Sequence, residues 1–324
     1  MRTVTDFMMK LHKELHDVRK IADSTASAYI RTLYNLNAER PFNNLAWLKN
    51  IESVNLRLSD YAKSTQKTAV VAIVSSLSLF KDKPTYKKIY THWYNVMMSN
   101  SAESRNEDTS VKTEKQKDNW LDWEVVKSHE QRLQTEVDEM GKDIVPSQWE
   151  TVLSMMVLSL YTEFAPRRNQ DYQFMNVVKT LKQVTESDVN YIVLDSKVFI
   201  FNKYKTSKAH GQQEFPIPDR LMEIIKLYLS KHPLLRDKKP RVLNVPFLVH
   251  SDGTPFTAVN SITRILNRIF GKRIGSTMLR HVYLSSKYDV KEMDEDAERM
   301  GHTSEVQHTY MKSDDSQEAR IPEM

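Results

Sequence analysis

Residues 191–218 read YIVLDSKVFIFNKYKTSKAHGQQEFPIP, and they interrupt an otherwise helical pattern. Tyr191 to Leu194, Lys197 to Asn202 and Glu214 to Ile217 are rich in β-branched and aromatic residues, which suit a pleated, half-buried surface. Asp195-Ser196 separates the first two runs, and a polar stretch containing Gly211 separates the last two. Three short antiparallel strands are therefore expected here. They sit inside a chain that is otherwise mainly α, so the expected fold is mainly helical with a small antiparallel β-sheet.

The rest of the composition agrees. Only 6 glycines occur in 324 residues, too few for a turn-rich all-β protein. Hydrophobic residues at 40% with 27% charged describe a globular chain rather than a disordered one. The length favours two domains. The absence of cysteine removes disulfide frameworks, thiol nucleophiles and cysteine-bearing metal sites together. Thr68 to Phe80, the longest apolar run, is too short to span a bilayer, and the N-terminus carries no hydrophobic signal region. Net charge is +5 but uneven: residues 1–100 and 201–280 are basic, whereas 101–150 are acidic. Two basic regions around an acidic one suit a protein that grips a polyanion from two sides, although charge alone favours ordinary solvated faces.

Upstream of the strands, apolar residues recur at helical spacing. Ala28, Ile30, Leu33 and Tyr34 form one set, Ala69, Val70, Ile73, Val74 and Leu77 a second. Tyr86, Ile89, Tyr90, Trp93 and Met97 form a third behind Pro84, a residue suited to a first helical position. Residues 1–100 thus read as a small helical bundle, with Lys81, Lys83, Lys87 and Lys88 clustered where they either meet phosphates or form a solvated face. Residues 101–119 are almost devoid of large apolar side chains and read as a flexible linker. Residues 120–324 form the second domain, whose segment from Gln148 to Phe164 is apolar enough to be a central core helix. Further helices are expected over Trp120 to Met140, Leu221 to Leu229, Val259 to Ile269, Thr277 to Lys287 and Val290 to Met300.

Four segments carry candidate chemistry. Ala165-Pro166-Arg167-Arg168-Asn169-Gln170-Asp171 puts two arginines directly after the core helix; arginines in such places are commonly surface snorkels or carboxylate partners. Lys203-Tyr204-Lys205-Thr206-Ser207-Lys208 lies between the second and third strands, where lysines are normally solvated but where a loop can also deliver one to a leaving oxygen. Ser276-Thr277-Met278-Leu279-Arg280-His281 starts a helix with Thr277 and Arg280 at i, i+3. Finally, Gly301-His302 precedes Tyr310, a residue type more often packed than reactive unless basic groups converge on it.

In this order, an arginine with an acidic residue three positions on, a hairpin lysine, T-x-L-R-H and G-H followed by a tyrosine resemble the tyrosine recombinase, or phage integrase-like, family. The resemblance covers about Trp120 to Lys312; residues 1–100 are similar to that family's core-binding domain in size and position only. It implies a two-domain C-clamp, a helical core-binding domain followed by a catalytic domain. By position, Arg168 fits the first arginine with Asp171 as its acidic neighbour, Arg167 being the alternate. Lys205 fits the hairpin lysine, with Lys203 and Lys208 as alternates. Arg280 fits the second arginine, His302 the histidine after glycine, and Tyr310 the nucleophile. Two departures stand out: Thr277 occupies the place of the family's first histidine, and the His302–Tyr310 spacing is one residue short. Threonine can hydrogen-bond a phosphate oxygen but does not exchange protons near neutral pH, so His281 or a water would take over any general-base work.

The resemblance implies site-specific cutting and rejoining of double-stranded DNA through a 3′-phosphotyrosyl intermediate, with no cofactor, ATP or metal. Arg168 and Arg280 would hold the charge that builds on the phosphate oxygens, and Lys205 would protonate the departing 5′ oxygen. It further implies a homo-tetramer on DNA, accessory DNA-bending or directionality factors, no membrane partner, and an intracellular location wherever the DNA resides. A type IB DNA topoisomerase and a non-catalytic DNA-binding relative are the alternatives.

Overall fold

The computed structural model describes residues 4–106, 112–141, 143–236, 242–286, 296–301, 306 and 310. The chain divides into two compact units, Met1–Glu107 and Asp108–Met324. Each is built around its own core.

The first unit is all helical: α1 (Asp6–Asp17), α2 (Asp23–Leu36), α3 (Ile51–Ser59), α4 (Lys63–Leu77) and α5 (Pro84–Asn106). Thr5 caps α1 by accepting from the Met8 amide, which satisfies one of the otherwise unpaired donors of the first turn. α4 packs between α2 and α5 and buries Ala69, Val70, Ile73 and Leu77 with Leu11, Leu33 and Val54. Trp93 of α5 is fully enclosed, and its indole N–H donates to the Leu48 carbonyl at 3.1 Å. Lys81, Lys83, Lys87 and Lys88 are exposed around the start of α5.

Residues 101–106, read from sequence as the start of a linker, continue α5 instead, and Glu114–Asn119 forms a short helix, α6. Neither depends on an apolar face. α6 is held by a reciprocal capping box between Thr113 and Gln116, and its end is tied to the loop beyond by Asn119 Oδ1, which accepts from the Arg273 amide at 2.9 Å. Polar composition predicted a chain without a face to bury; the capping and tertiary hydrogen bonds make such a face unnecessary.

The second unit continues with α7 (Trp123–Asp138), α8 (Pro146–Thr162), α9 (Asn169–Gln173), β1 (Asn176–Val178), β2 (Tyr191–Val193), β3 (Val198–Phe201), α10 (Ser207–His210), β4 (Gln213–Pro216), α11 (Asp219–Ser230), β5 (Asn244–Pro246), α12 (Ser261–Phe270) and α13 (Ser276–Ser286). Residues 296–300 are also helical. α8 is the central helix the sequence predicts. It packs against α7, α11 and α12 and is buried from Val152 to Tyr161 without a gap, as expected of a helix apolar on every side. Its Trp149 donates to the Val249 carbonyl at 3.1 Å.

The sheet has five strands in the order β4-β3-β2-β1-β5. β2, β3 and β4 form the antiparallel set read from sequence, with Ile192 opposite Phe199 and Phe199 opposite Phe215. The expectation of a purely antiparallel sheet is corrected, because β1 pairs parallel with β2, and β5 joins β1 antiparallel. β1 is Asn-Val-Val and β5 Asn-Val-Pro, so neither offers the β-branched and aromatic run that marks β2 and β3. Side chains alternate across the sheet. Val177, Ile192, Phe199 and Phe201 join the main core, while Val178, Tyr191, Val193 and Ile200 form a smaller cluster on the other face.

Candidate active site

The turn between α8 and α9 carries the two adjacent arginines, and their environments differ sharply. Arg167 is fully buried. Its Nε donates to Asp171 Oδ2 at 3.0 Å, its Nη1 to the Arg299 carbonyl at 2.5 Å, and its Nη2 to Gln213 Oε1 at 3.1 Å. The face of the guanidinium lies 3.8 Å from the Phe201 ring centroid. Every nitrogen of Arg167 is thus committed to protein. Arg168 is half-buried and extended, at the N-cap of α9. Its Nη1 is shielded from solvent yet has no hydrogen-bond partner among the described residues. A buried, unpaired guanidinium N–H costs free energy until an acceptor arrives, so Arg168 rather than Arg167 is the arginine available to a ligand.

Asp171 is the acidic neighbour anticipated from sequence, but its carboxylate pairs with Arg167, not with Arg168. Burial pushes its carboxyl above the usual carboxylate range, against the pull of Arg167, Arg280 and Arg168. Three guanidiniums therefore act on one buried carboxylate, an arrangement with positive charge to spare.

Arg280 reaches the same place from α13. It is 1% exposed, with Nε donating to the Pro166 carbonyl at 2.9 Å and Nη2 to the Met300 carbonyl at 3.2 Å. Its pKa is lowered, first by burial and then by the charge of Arg168, while Tyr310 and Asp171 work the other way. The Arg280 guanidinium carbon lies 5.6 Å from the Tyr310 ring centroid. Tyr310 is half-buried beside Ala165, Tyr283, Leu284 and Met300. His281, the residue after Arg280, holds the tyrosine's main chain: its Nδ1 is 2.6 Å from the Tyr310 carbonyl, and the two rings are 5.1 Å apart. A carbonyl only accepts, so Nδ1 carries the proton.

The lysines lie on the β3–β4 connection. Lys205 is exposed in the turn before α10, Lys208 is exposed within α10, and exposed Lys203 faces Asp188 at 4.0 Å. The turn itself is anchored: Tyr204 donates to the Gly211 carbonyl at 2.8 Å, and Thr206 to the Gly301 carbonyl at 2.9 Å. Thr277 is exposed in the first turn of α13. His302 lies outside the described residues, and Gly301 just before it has φ +71°. The described residues therefore bring together Arg168, Asp171, Arg280, His281 and Tyr310. Lys205 stands on an anchored turn whose neighbour Thr206 reaches Gly301.

Sequence reasoning missed Gln213 and Thr206, which hold Arg167 and Gly301, and it did not say which of the two arginines Asp171 pairs with. Spacing does not choose between them, since Asp171 lies four residues after Arg167 and three after Arg168. Gln213 and Thr206 left no signal, because their partners lie 46 and 95 residues away in the chain. No group of three or more metal-ligating side chains occurs among the described residues, and none of their helices is long and apolar enough to cross a membrane.

No protein-family model and no curated protein matches the chain. Among solved structures, the chain is similar to a crystal structure of XerA recombinase, with a TM-score of 0.39 and 11% identity over 95% of this chain and 94% of that one.

Proposed function

We propose that this protein is a DNA strand transferase of the tyrosine recombinase kind. The observation that carries the reading is the convergence of Arg168, Arg280 and Tyr310: a buried, unpaired guanidinium N–H beside a second arginine and a tyrosine ring. Two like charges held together without a matching counter-ion favour an anionic ligand, and a phosphodiester supplies both the charge and the acceptor oxygens.

In this reading the Tyr310 hydroxyl oxygen attacks phosphorus, and the bond to the 5′ oxygen breaks. Arg168 and Arg280 hold the non-bridging oxygens, whose charge grows as the transition state forms. Lys205 gives its proton to the departing 5′ oxygen. The tyrosine proton leaves to a base: His281, His302 or a water. His281 also sets the position of Tyr310 through its carbonyl. The phosphotyrosyl ester keeps the bond energy, so a 5′ hydroxyl from another strand can reverse the step. The first unit, with exposed lysines at the start of α5, is the second half of the DNA grip, and strand exchange takes place in a tetramer. The first unit takes the role of core-binding domain and the second that of catalytic domain.

Covalent trapping tests the chemistry. The protein is incubated with labelled, randomly nicked duplex DNA, denatured in SDS and examined for protein-bound label, with Tyr310→Phe alongside. An adduct lost in the variant is the expected result. Plasmid relaxation without joining of separate duplexes would move the assignment to a type IB topoisomerase. Salt-sensitive DNA binding with no adduct in either protein would identify a non-catalytic relative, a reading that Thr277 in place of histidine favours.

A further inference from the structure

Residues 299, 300 and 301 present three consecutive carbonyls, and each is taken by a side chain from a different part of the second unit. Arg167 holds the Arg299 carbonyl, Arg280 the Met300 carbonyl, and Thr206 the Gly301 carbonyl. Gln213 adds a long contact to the Glu298 carbonyl at 3.4 Å. The last carbonyls of the helix at 296–300 have no amide partner within it, and side chains from the α8–α9 turn, α13 and the β3–β4 connection converge to satisfy them. Gly301 fits closely against this row. A Cβ at this position would meet Arg167 Nη2 at 3.1 Å and the Tyr204 ring at 3.5 Å, and its φ of +71° already favours glycine.

We propose that Arg167 is a positioning residue that couples the hairpin bearing Lys205 to the segment entering His302 and Tyr310, through the clamped carbonyls of residues 299–301. Its link to catalysis rests on the reading of the site as a strand transferase; its mechanical role does not. Arginine suits the task because its rigid fork donates in three directions at once and its flat face stacks on Phe201. A lysine ammonium at the same depth is a point donor and cannot span Asp171, Gln213 and Arg299 together. The neighbouring arginines thus divide the work: Arg167 orders the site and Arg168 meets the ligand.

The test uses the full-length protein with Arg167→Lys, and Gly301→Ala as a second variant that presses on the same contact from the other side. Amide hydrogen exchange is followed in peptides covering 204–213 and 296–301, with α8 as the internal control. Both variants are expected to exchange at least tenfold faster in both peptides together while α8 is unchanged. The single-turnover rate of covalent adduct formation should fall at least tenfold, with salt-dependent DNA affinity within twofold of the parent, a split that general loss of structure would not give. Unchanged exchange in these peptides in a folded variant, or loosening of one peptide without the other, overturns the coupling. Coupled loosening with an unaltered adduct rate overturns its catalytic part. If Arg167→Lys does not fold, Gly301→Ala decides by the same criteria. A parent protein that forms no adduct refutes the strand-transferase reading, and the exchange data still decide the coupling.

Discussion

Replacing the two site arginines one at a time should separate a ligand-binding guanidinium from one that also holds the fold. Arg280→Ala removes the partners of two buried carbonyls, Pro166 and Met300. Each buried acceptor left unpaired costs about 1–3 kcal/mol, so the variant should lose about 2–6 kcal/mol, a large part of the ~5–15 kcal/mol that holds a typical domain. Arg168→Ala removes an N–H that has no described partner and a like charge that lowers the pKa of Arg280. It should lose no stability, and relief of the unpaired buried N–H should raise it by up to about 1–3 kcal/mol. The adduct rate should nevertheless fall about 100- to 1,000-fold, the usual effect of deleting a donor to transition-state charge. Urea unfolding followed through Trp123 and Trp149, both in the second unit, gives the stability of each variant, and SDS trapping gives the rate. Arg168→Ala destabilised as much as Arg280→Ala, or reacting at the parental rate, would refute the reasoning.

Three further outcomes are expected. His232 is buried against Trp149 and Tyr228, and burial pushes its pKa down to about 4 although the Phe247 carbonyl opposes the shift. Between about pH 6.5 and 4 the unfolded chain therefore binds the extra proton, stability rises with pH, and acidification through this window should cost about 3 kcal/mol. The same pH dependence in His232→Gln would show that another group is responsible. Trp93→Phe orphans the buried Leu48 carbonyl and should destabilise the first unit by about 1–3 kcal/mol, read as a lower urea midpoint for Trp47 fluorescence; an unmoved midpoint would contradict it. Thr277→His, at an exposed position, should leave stability within about 0.5 kcal/mol and add a limb near pH ~6.5 to the adduct rate. Superimposable pH profiles would remove position 277 from the proton-transfer scheme.

What local pattern can carry was legible in the sequence. The β-branched and aromatic runs of β2 and β3 mark strands buried on both faces of the sheet, and the unbroken apolar run of α8 marks a helix enclosed on all sides. Pro84 marks the first residue of α5 because a first-turn position has no use for its missing N–H. The order of the four polar segments, ending at Tyr310, was equally plain. β1 and β5 were not, since Asn-Val-Val and Asn-Val-Pro hold too few strand-forming residues and the two strands exist by pairing with each other across the chain. Nor did composition reveal α6, which capping stabilises without an apolar face.

Tertiary structure decided which arginine is free. Arg167 and Arg168 are chemically identical neighbours, and nothing within ten residues says that one will stack on Phe201 and hold a carbonyl 132 residues away while the other keeps an N–H unpaired. A side chain's type and the periodicity around it are local quantities. Whether its donors are already spent depends on every acceptor that folding brings within about 3 Å, and those acceptors come from segments that only the complete fold places side by side.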